Sequence, residues 1–174
     1  TPAILYLAHS AGVDAAIGGL PPGWADIDVL VNNAGLAAGF GPLPDNDPDD
    51  WDRMININLT SVFVCMKYEL ATMVEAGGGA IVNTSSGAGV VAAPGMPHYT
   101  AAKHGVLGLT KCGAQEYARR NIRVNAVLPG STRTPMIEAF MAASPEIEPM
   151  ITRSVGRGRL GTPAEIAQAA VWSC

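Results

Sequence analysis

Apolar positions along this chain fall into two kinds of run. Short uninterrupted ones cover residues 3–8, 27–31, 80–83 and 122–128, and each ends in small or turn-forming residues. Runs of that length and composition predict strands buried on both faces. Longer stretches repeat at helical spacing instead. Residues 51–75 place Met54, Ile55, Leu59, Val62, Phe63, Met66, Leu70 and Met73 on one side of a single helix. Residues 98–119 predict a second long helix, whose Ala101, Ala102, Gly105, Gly108, Gly113 and Ala114 let a neighbour approach closely. Residues 14–20 are weakly helical and closed by Pro21-Pro22, and Gly77-Gly78-Gly79 ends the 51–75 helix. Near the far end, Thr162-Pro163-Ala164-Glu165 reads as a helix start, with Thr as N-cap, Pro in the first turn and Glu at N3. Strand and helix alternate with short connections, which predicts βαβ units: an α/β fold with a doubly wound parallel sheet and helices on both faces.

In such sheets ligands bind beyond the carboxyl ends of the strands. Three of those ends carry unusual residues, namely Asn32-Asn33-Ala34-Gly35, Ser85-Ser86 and Pro129-Gly130. The same edge receives Tyr99 and Lys103, four residues apart at the head of the 98–119 helix and hence on one face of it. An ammonium beside a phenol favours the phenolate, so such a tyrosine trades protons near neutral pH. Ser86 offers a hydroxyl to the same reacting oxygen. Asn58 sits inside a helical pattern, where Asn is a weak former.

Composition narrows the function classes. The chain has 174 residues, 48% hydrophobic and 15% charged, enough for one domain with a sizeable core. A net charge of −4 leaves no basic stripe for nucleic acid. Cys65, Cys112 and Cys174 are too few for a disulfide framework or a zinc site, and Cys112 reads as a core residue. The acidic stretch 45–50 and Asp52 lack the loop glycine and terminal glutamate of a calcium loop, so no metal is expected. No run is long enough for a membrane span, and the few, scattered cysteines make a reduced, cytoplasmic setting the default. His98 reads as a helix-start residue, with a substrate contact as the lesser alternative, and His104 as a solvated one.

Taken together, these motifs resemble the short-chain dehydrogenase/reductase family. Residues 28–35 are similar to its N-N-A-G segment, and Ile57-Asn58-Leu59 to the segment with its active-site asparagine. Ser86 stands 13 residues before Tyr99, the family's spacing of serine and tyrosine, and residues 122–125 and 129–135 are similar to the strand and loop at the nicotinamide end. The resemblance implies a Rossmann-like three-layer α/β/α domain spanning 1–174, truncated at both ends, without the family's glycine-rich phosphate loop and closing strand. It implies NAD or NADP as cofactor and hydride transfer to or from a small-molecule carbonyl or secondary alcohol. Tyr99 is then the general acid/base, Lys103 binds the nicotinamide ribose, Ser86 holds the substrate oxygen and Asn58 holds a relay water. Asn32, Ala34, Gly35, Tyr99, Lys103, Pro129, Gly130, Thr132 and Thr134 line the cofactor. The family also implies a homodimer or homotetramer, and a lid over residues 134–160.

Two glycine patterns imitate phosphate loops. Gly35 to Gly41 is followed by Pro42 rather than a helix, and Gly156 to Gly161 has no strand before it, so neither has the setting that chemistry requires. A hydrolase reading of Ser86 wants a G-x-S-x-G elbow, which residues 84–88 do not supply. The competing expectation is an inactive fragment that serves only as a structural or oligomerisation module.

Overall fold

The computed structural model describes residues 10–21, 27–144 and 146–174. The strand expected over residues 3–8 lies outside them. Helix α1 (Ser10–Gly18) begins earlier than the 14–20 pattern suggests. It buries Val13 against Val64 and Cys65 of the next long helix.

Strands β1 (Val29–Asn32), β2 (Gly79–Thr84) and β3 (Ile122–Val127) form a parallel sheet in that order. The register pairs Asn32 with Asn83 and Thr84 with Val127, so the carboxyl ends lie level. One sheet face contributes Leu30, Ile81, Ile122 and Val124 to the main core. Facing them are Val62, Met66, Leu70 and Met73 of α3 (Ser61–Ala76) and Val106 of α4 (Pro97–Tyr117). At about 25 cal/mol per Å² of apolar surface, such full burials are each worth roughly 1.5–3 kcal/mol. Arg123 and Asn125 alternate with the core residues of β3 and so point to the opposite face. There they bond the carbonyls of Cys174 and Ser173 (Asn125 at 2.8 Å), just past α7 (Pro163–Trp172). Both faces therefore carry helices, as the alternation predicts.

The expected single helix over 51–75 is interrupted. Helix α2 (Pro48–Ile55) opens on Asp47, whose carboxylate accepts from Asp49 N at 2.9 Å, with Asp49 and Asp50 in the first turn. Between α2 and α3 lies one wider π turn, Asn56–Thr60, closed by Ser61 N onto Asn56 O. The cause is a side chain. Asn58 Nδ2 donates to Met54 O at 3.0 Å, competing for the carbonyl that the backbone of residue 58 would otherwise use, and the ladder slips by one residue. Helical periodicity alone does not reveal such a slip.

Helix α3 ends where expected. Gly77 turns left-handed at φ 87°, and Gly78 N reaches back to Met73 O at 3.0 Å. Two of the small residues of α4 act as anticipated: a Cβ on Gly105 would lie 2.7 Å from Leu59 Cδ2 and one on Gly113 2.8 Å from Met66 Cε, whereas Gly108 and Ala101 are exposed and no neighbour lies within 4 Å of a Cβ on Gly108. Cys112 departs from expectation. It is exposed, because α4 turns that position away from the sheet, whereas Cys65 is buried.

After β3, residues 131–161 form a closed excursion containing α5 (Pro135–Ala143) and α6 (Ile147–Ser154). Its ends are joined by Arg133 N to Gly161 O and Gly161 N to Ser131 O, both 2.9 Å. Arg133 also bonds Glu148 at 2.9 Å. Helix α7 shows the expected capping box: Thr162 Oγ accepts from Glu165 N while the Glu165 carboxylate accepts from Thr162 N at 2.8 Å. The Arg159 hydrogen bond, with help from Thr162, holds the Glu165 carboxyl down at about 2, so the box stays ionised in mild acid. Thr162→Ala should cost about 1 kcal/mol in urea unfolding. An unchanged midpoint would show that α7 is held by its other contacts. Among the described residues no helix is long and apolar enough to cross a membrane, and no cluster suits a metal ion.

Candidate active site

The residues singled out by sequence gather where the three strands end. Asn32 and Asn83 are register partners, and Asn32 Nδ2 donates to Asn83 Oδ1 at 2.8 Å. Asn83 Nδ2 in turn donates to Thr110 Oγ1 of α4 at 3.0 Å, and Thr110 donates to Val106 O at 2.8 Å. All three polar side chains are buried. The Asn32 amide is thus engaged inside the protein, tying β1 through β2 to α4. Asn33, Ala34 and Gly35 emerge exposed beyond it.

Gly35 is the point of closest approach. A Cβ there would sit 3.1 Å from Asn58 Oδ1 and 3.6 Å from Lys103 Nζ, so these two side chains converge on one glycine. Asn58 is fully buried and grips the next residue in both directions. Leu36 N donates to its Oδ1 at 3.1 Å, and its Nδ2 donates to Leu36 O at 3.0 Å. The π turn therefore has a purpose legible in the structure. It brings an amide side chain from the helix to the loop after β1.

Lys103 is 4% exposed. Its ammonium donates to Thr84 O at 2.9 Å and lies 5.6 Å from the centre of the Tyr99 ring. Burial pushes its pKa down to about 8 from 10.5. Ser85, which sequence treats as a turn residue, has a larger part. Its buried hydroxyl donates to Lys103 O at 2.8 Å, and a side chain on Gly89 would collide with it. Ser86 is half-buried and accepts from Ala88 N at 3.2 Å, capping the 3-10 turn Gly87–Gly89. Gly87 N donates to Pro129 O at 3.0 Å, which locks the loop after β2 to the one after β3. In that third loop Thr132 Oγ1 donates to Gly130 O at 3.1 Å, and Thr134 Oγ1 accepts from Ile137 N at 3.4 Å, at the start of α5.

His98 has a larger part than a helix-start residue. It is fully buried, its Nδ1 accepts from Tyr99 N at 2.7 Å, and its Nε2 lies 3.0 Å from Gly39 O. The only available signal was its place next to Tyr99. His104 is exposed, as expected, with Nδ1 2.9 Å from Thr100 O.

The donor set suits the nicotinamide ribose end of a dinucleotide. Lys103 uses one of its three N–H groups on Thr84 O, a Cβ on the exposed Gly35 would lie 3.6 Å from its Nζ, and Ala34 and Gly130 are exposed at the ends of β1 and β3. A Cβ at Gly130 would meet nothing within 4 Å, so that surface can be approached closely. Neither glycine imitation is a phosphate loop: residues 33–42 lead into a 3-10 turn at Leu43–Asp45, and residues 155–161 follow α6 rather than a strand.

Comparison with known proteins agrees with this geometry. The short chain dehydrogenase family model matches residues 5–144. A 2,5-dichloro-2,5-cyclohexadiene-1,4-diol dehydrogenase of Sphingobium indicum is 39% identical over 95% of this chain and 67% of its own length. Among solved structures, ElxO with NADP bound superimposes with a TM-score of 0.91 at 34% identity, covering 96% of this chain and 67% of ElxO. An NAD+-bound xylitol dehydrogenase does so at 0.93 and 28% identity, covering 98% and 71%. The chain thus spans about two thirds of the length of these proteins. From the matched residues, the 39% identical relative and the shared sheet, this chain belongs to the short chain dehydrogenase family.

Proposed function

We propose that the protein is an NAD(P)-dependent dehydrogenase or reductase that interconverts a secondary alcohol and a ketone, with Tyr99 as general acid/base. The observation that carries this reading is the convergence of Asn58 and Lys103 on Gly35, one helical turn from Tyr99.

The nicotinamide ring supplies or accepts the hydride when the cofactor is bound. The protein's task is the proton and the orientation. Tyr99 Oη would donate to the carbonyl oxygen during reduction and accept from the alcohol during oxidation. Ser86 Oγ would hold the same oxygen and stabilise the charge that develops on it. Lys103 would bond the ribose hydroxyls with its free N–H groups and place a positive charge near the reacting oxygen. Asn58 would position a water between Lys103 and solvent, completing the proton path. Ala34, Gly35, Pro129, Gly130, Thr132 and Thr134 would line the cofactor, with Asn32 fixing the strand that presents them.

Substrate class follows from the rim. Phe40, Leu43, Val90, Val91 and Met136 are all exposed, on the loops after β1 and β2 and on the first turn of α5. Gly41 N bonds Gly95 O at 3.0 Å, which holds those two loops together. An apolar rim favours an apolar, medium-sized substrate such as a ring-borne secondary alcohol, the class named for the Sphingobium relative. The outward sides of α3 and α4, with Phe63 and Gly108 exposed, suit a homodimer or homotetramer.

Titrating this chain with NADH and NADPH, followed by cofactor fluorescence, tests the reading together with an assay on cyclohexanol. Saturable binding of either cofactor and alcohol-dependent reduction of NAD+ or NADP+ is the expected result. No binding at millimolar cofactor would leave only a structural or oligomerisation role.

A further inference from the structure

We infer that His98 is a positioning residue for the proposed reaction, a neutral imidazole that clamps the loop after β1 to the backbone of Tyr99. Its hydrogen bonds define the tautomer. Tyr99 N is a donor, so Nδ1 must be the acceptor at 2.7 Å. Nε2 then carries the proton and donates to Gly39 O at 3.0 Å. One ring therefore satisfies two backbone groups at once. Tyr99 N belongs to the first turn of α4, where N–H groups lack intrahelical acceptors, and the N-cap Met96 offers no side-chain oxygen.

The partner at the other end is equally specific. Gly39 has φ +67°, and a Cβ there would lie 3.0 Å from His98 Nε2 and 2.9 Å from Asp50 Oδ2. Only glycine fits between the imidazole and the first turn of α2 without displacing one of them. The short segment from Leu36 to Gly39 is thus pinned at both ends, by Asn58 at Leu36 and by His98 at Gly39. Asn58 and the residue beside Tyr99 hold opposite ends of one wall. Movement of that wall would be felt at Tyr99, because the same ring touches both. Phe40 follows at once, so the clamp also sets one apolar side of the substrate rim.

The chemistry of side-chain amides supplies a test. A glutamine nitrogen can take the place of Nε2 and keep the bond to Gly39 O, whereas phenylalanine fills the volume and keeps neither bond. Hydrogen exchange of the peptide spanning 36–41 in the full chain should quicken about tenfold or more in His98→Phe and return toward wild type in His98→Gln. In turnover, His98→Phe should lower kcat/KM for the alcohol about tenfold or more, with the cofactor dissociation constant unchanged within twofold, and His98→Gln should recover most of the loss. This second arm rests on the proposed activity, but the exchange arm does not, so a wild-type chain without turnover would refute the activity and still leave the clamp measurable. Unchanged exchange in His98→Phe would overturn the inference. So would a His98→Gln variant no better protected than His98→Phe. Should His98→Phe fail to fold, His98→Asn keeps the acceptor for Tyr99 N but is too short for Gly39, and must show the same loosening of 36–41.

Discussion

Tyr99→Phe should reduce turnover by about 10³-fold while leaving both the fold and cofactor affinity nearly intact. The structure supports the separation of these effects. The phenol hydroxyl makes no hydrogen bond to any described residue, so its removal breaks nothing within the chain. The ring itself stays in place, held between the His98 contact with its backbone and the Lys103 ammonium 5.6 Å away. Steady-state kinetics in both directions, with fluorescence titration of NADH and NADPH, would measure the two consequences side by side. Turnover within tenfold of wild type would remove Tyr99 from the proton-transfer role. Parallel loss of cofactor binding would instead make it a binding residue.

Lys103→Met should make the protein more stable and less active. Lys103 is buried, and desolvation disfavours its charged form, with the pKa lowered from 10.5 to about 8. Between those two values the unfolded chain holds more protons than the folded one, so stability rises with pH across that window. Below about 8 the ammonium is charged in both states and the full desolvation penalty, about 3 kcal/mol, weighs on the fold. Methionine removes that penalty but leaves Thr84 O without its 2.9 Å partner, a loss of about 1 kcal/mol. A net gain of about 2 kcal/mol at pH 7 is expected, shrinking above pH 10. Urea unfolding at the two pH values measures it, and destabilisation at pH 7 would show that the ammonium has better solvation than its burial implies. Under the proposed function turnover should fall about 10²-fold or more, since the charge beside Tyr99 and the donors assigned to the ribose would be lost together. Under the proposed function, a residue that weakens the fold in this way is a stability–activity trade-off of the ordinary kind.

Where sequence succeeded, the reasons are local. Strand and helix identities follow from run length and period, and the left-handed stop at Gly77 and the capping box at Thr162 follow from residue type at a fixed offset. The candidate residues Tyr99 and Lys103 share a helix face because four residues make about one turn. Where sequence fell short, distant parts of the chain were competing for the same groups. The 51–75 helix breaks at Asn58 because its amide takes Met54 O and then reaches Leu36, 22 residues away. Ser85 looked like turn chemistry, but its hydroxyl is needed by a carbonyl 18 residues on. Cys112 looked apolar and therefore buried, yet α4 presents it to the outside.

The sequence by itself determined the alternation of strands and helices, the strand ends at which unusual residues collect, and the pairing of Tyr99 with Lys103. Each depends only on near neighbours in the chain. Only the tertiary structure decided which oxygen each buried donor meets: Asn58 on Leu36, Lys103 on Thr84, His98 between Tyr99 and Gly39. Those pairings join residues 19 to 59 positions apart in the chain, apart from that of His98 with its own neighbour. They exist because folding buries polar groups that must then find partners, a requirement that no local pattern encodes.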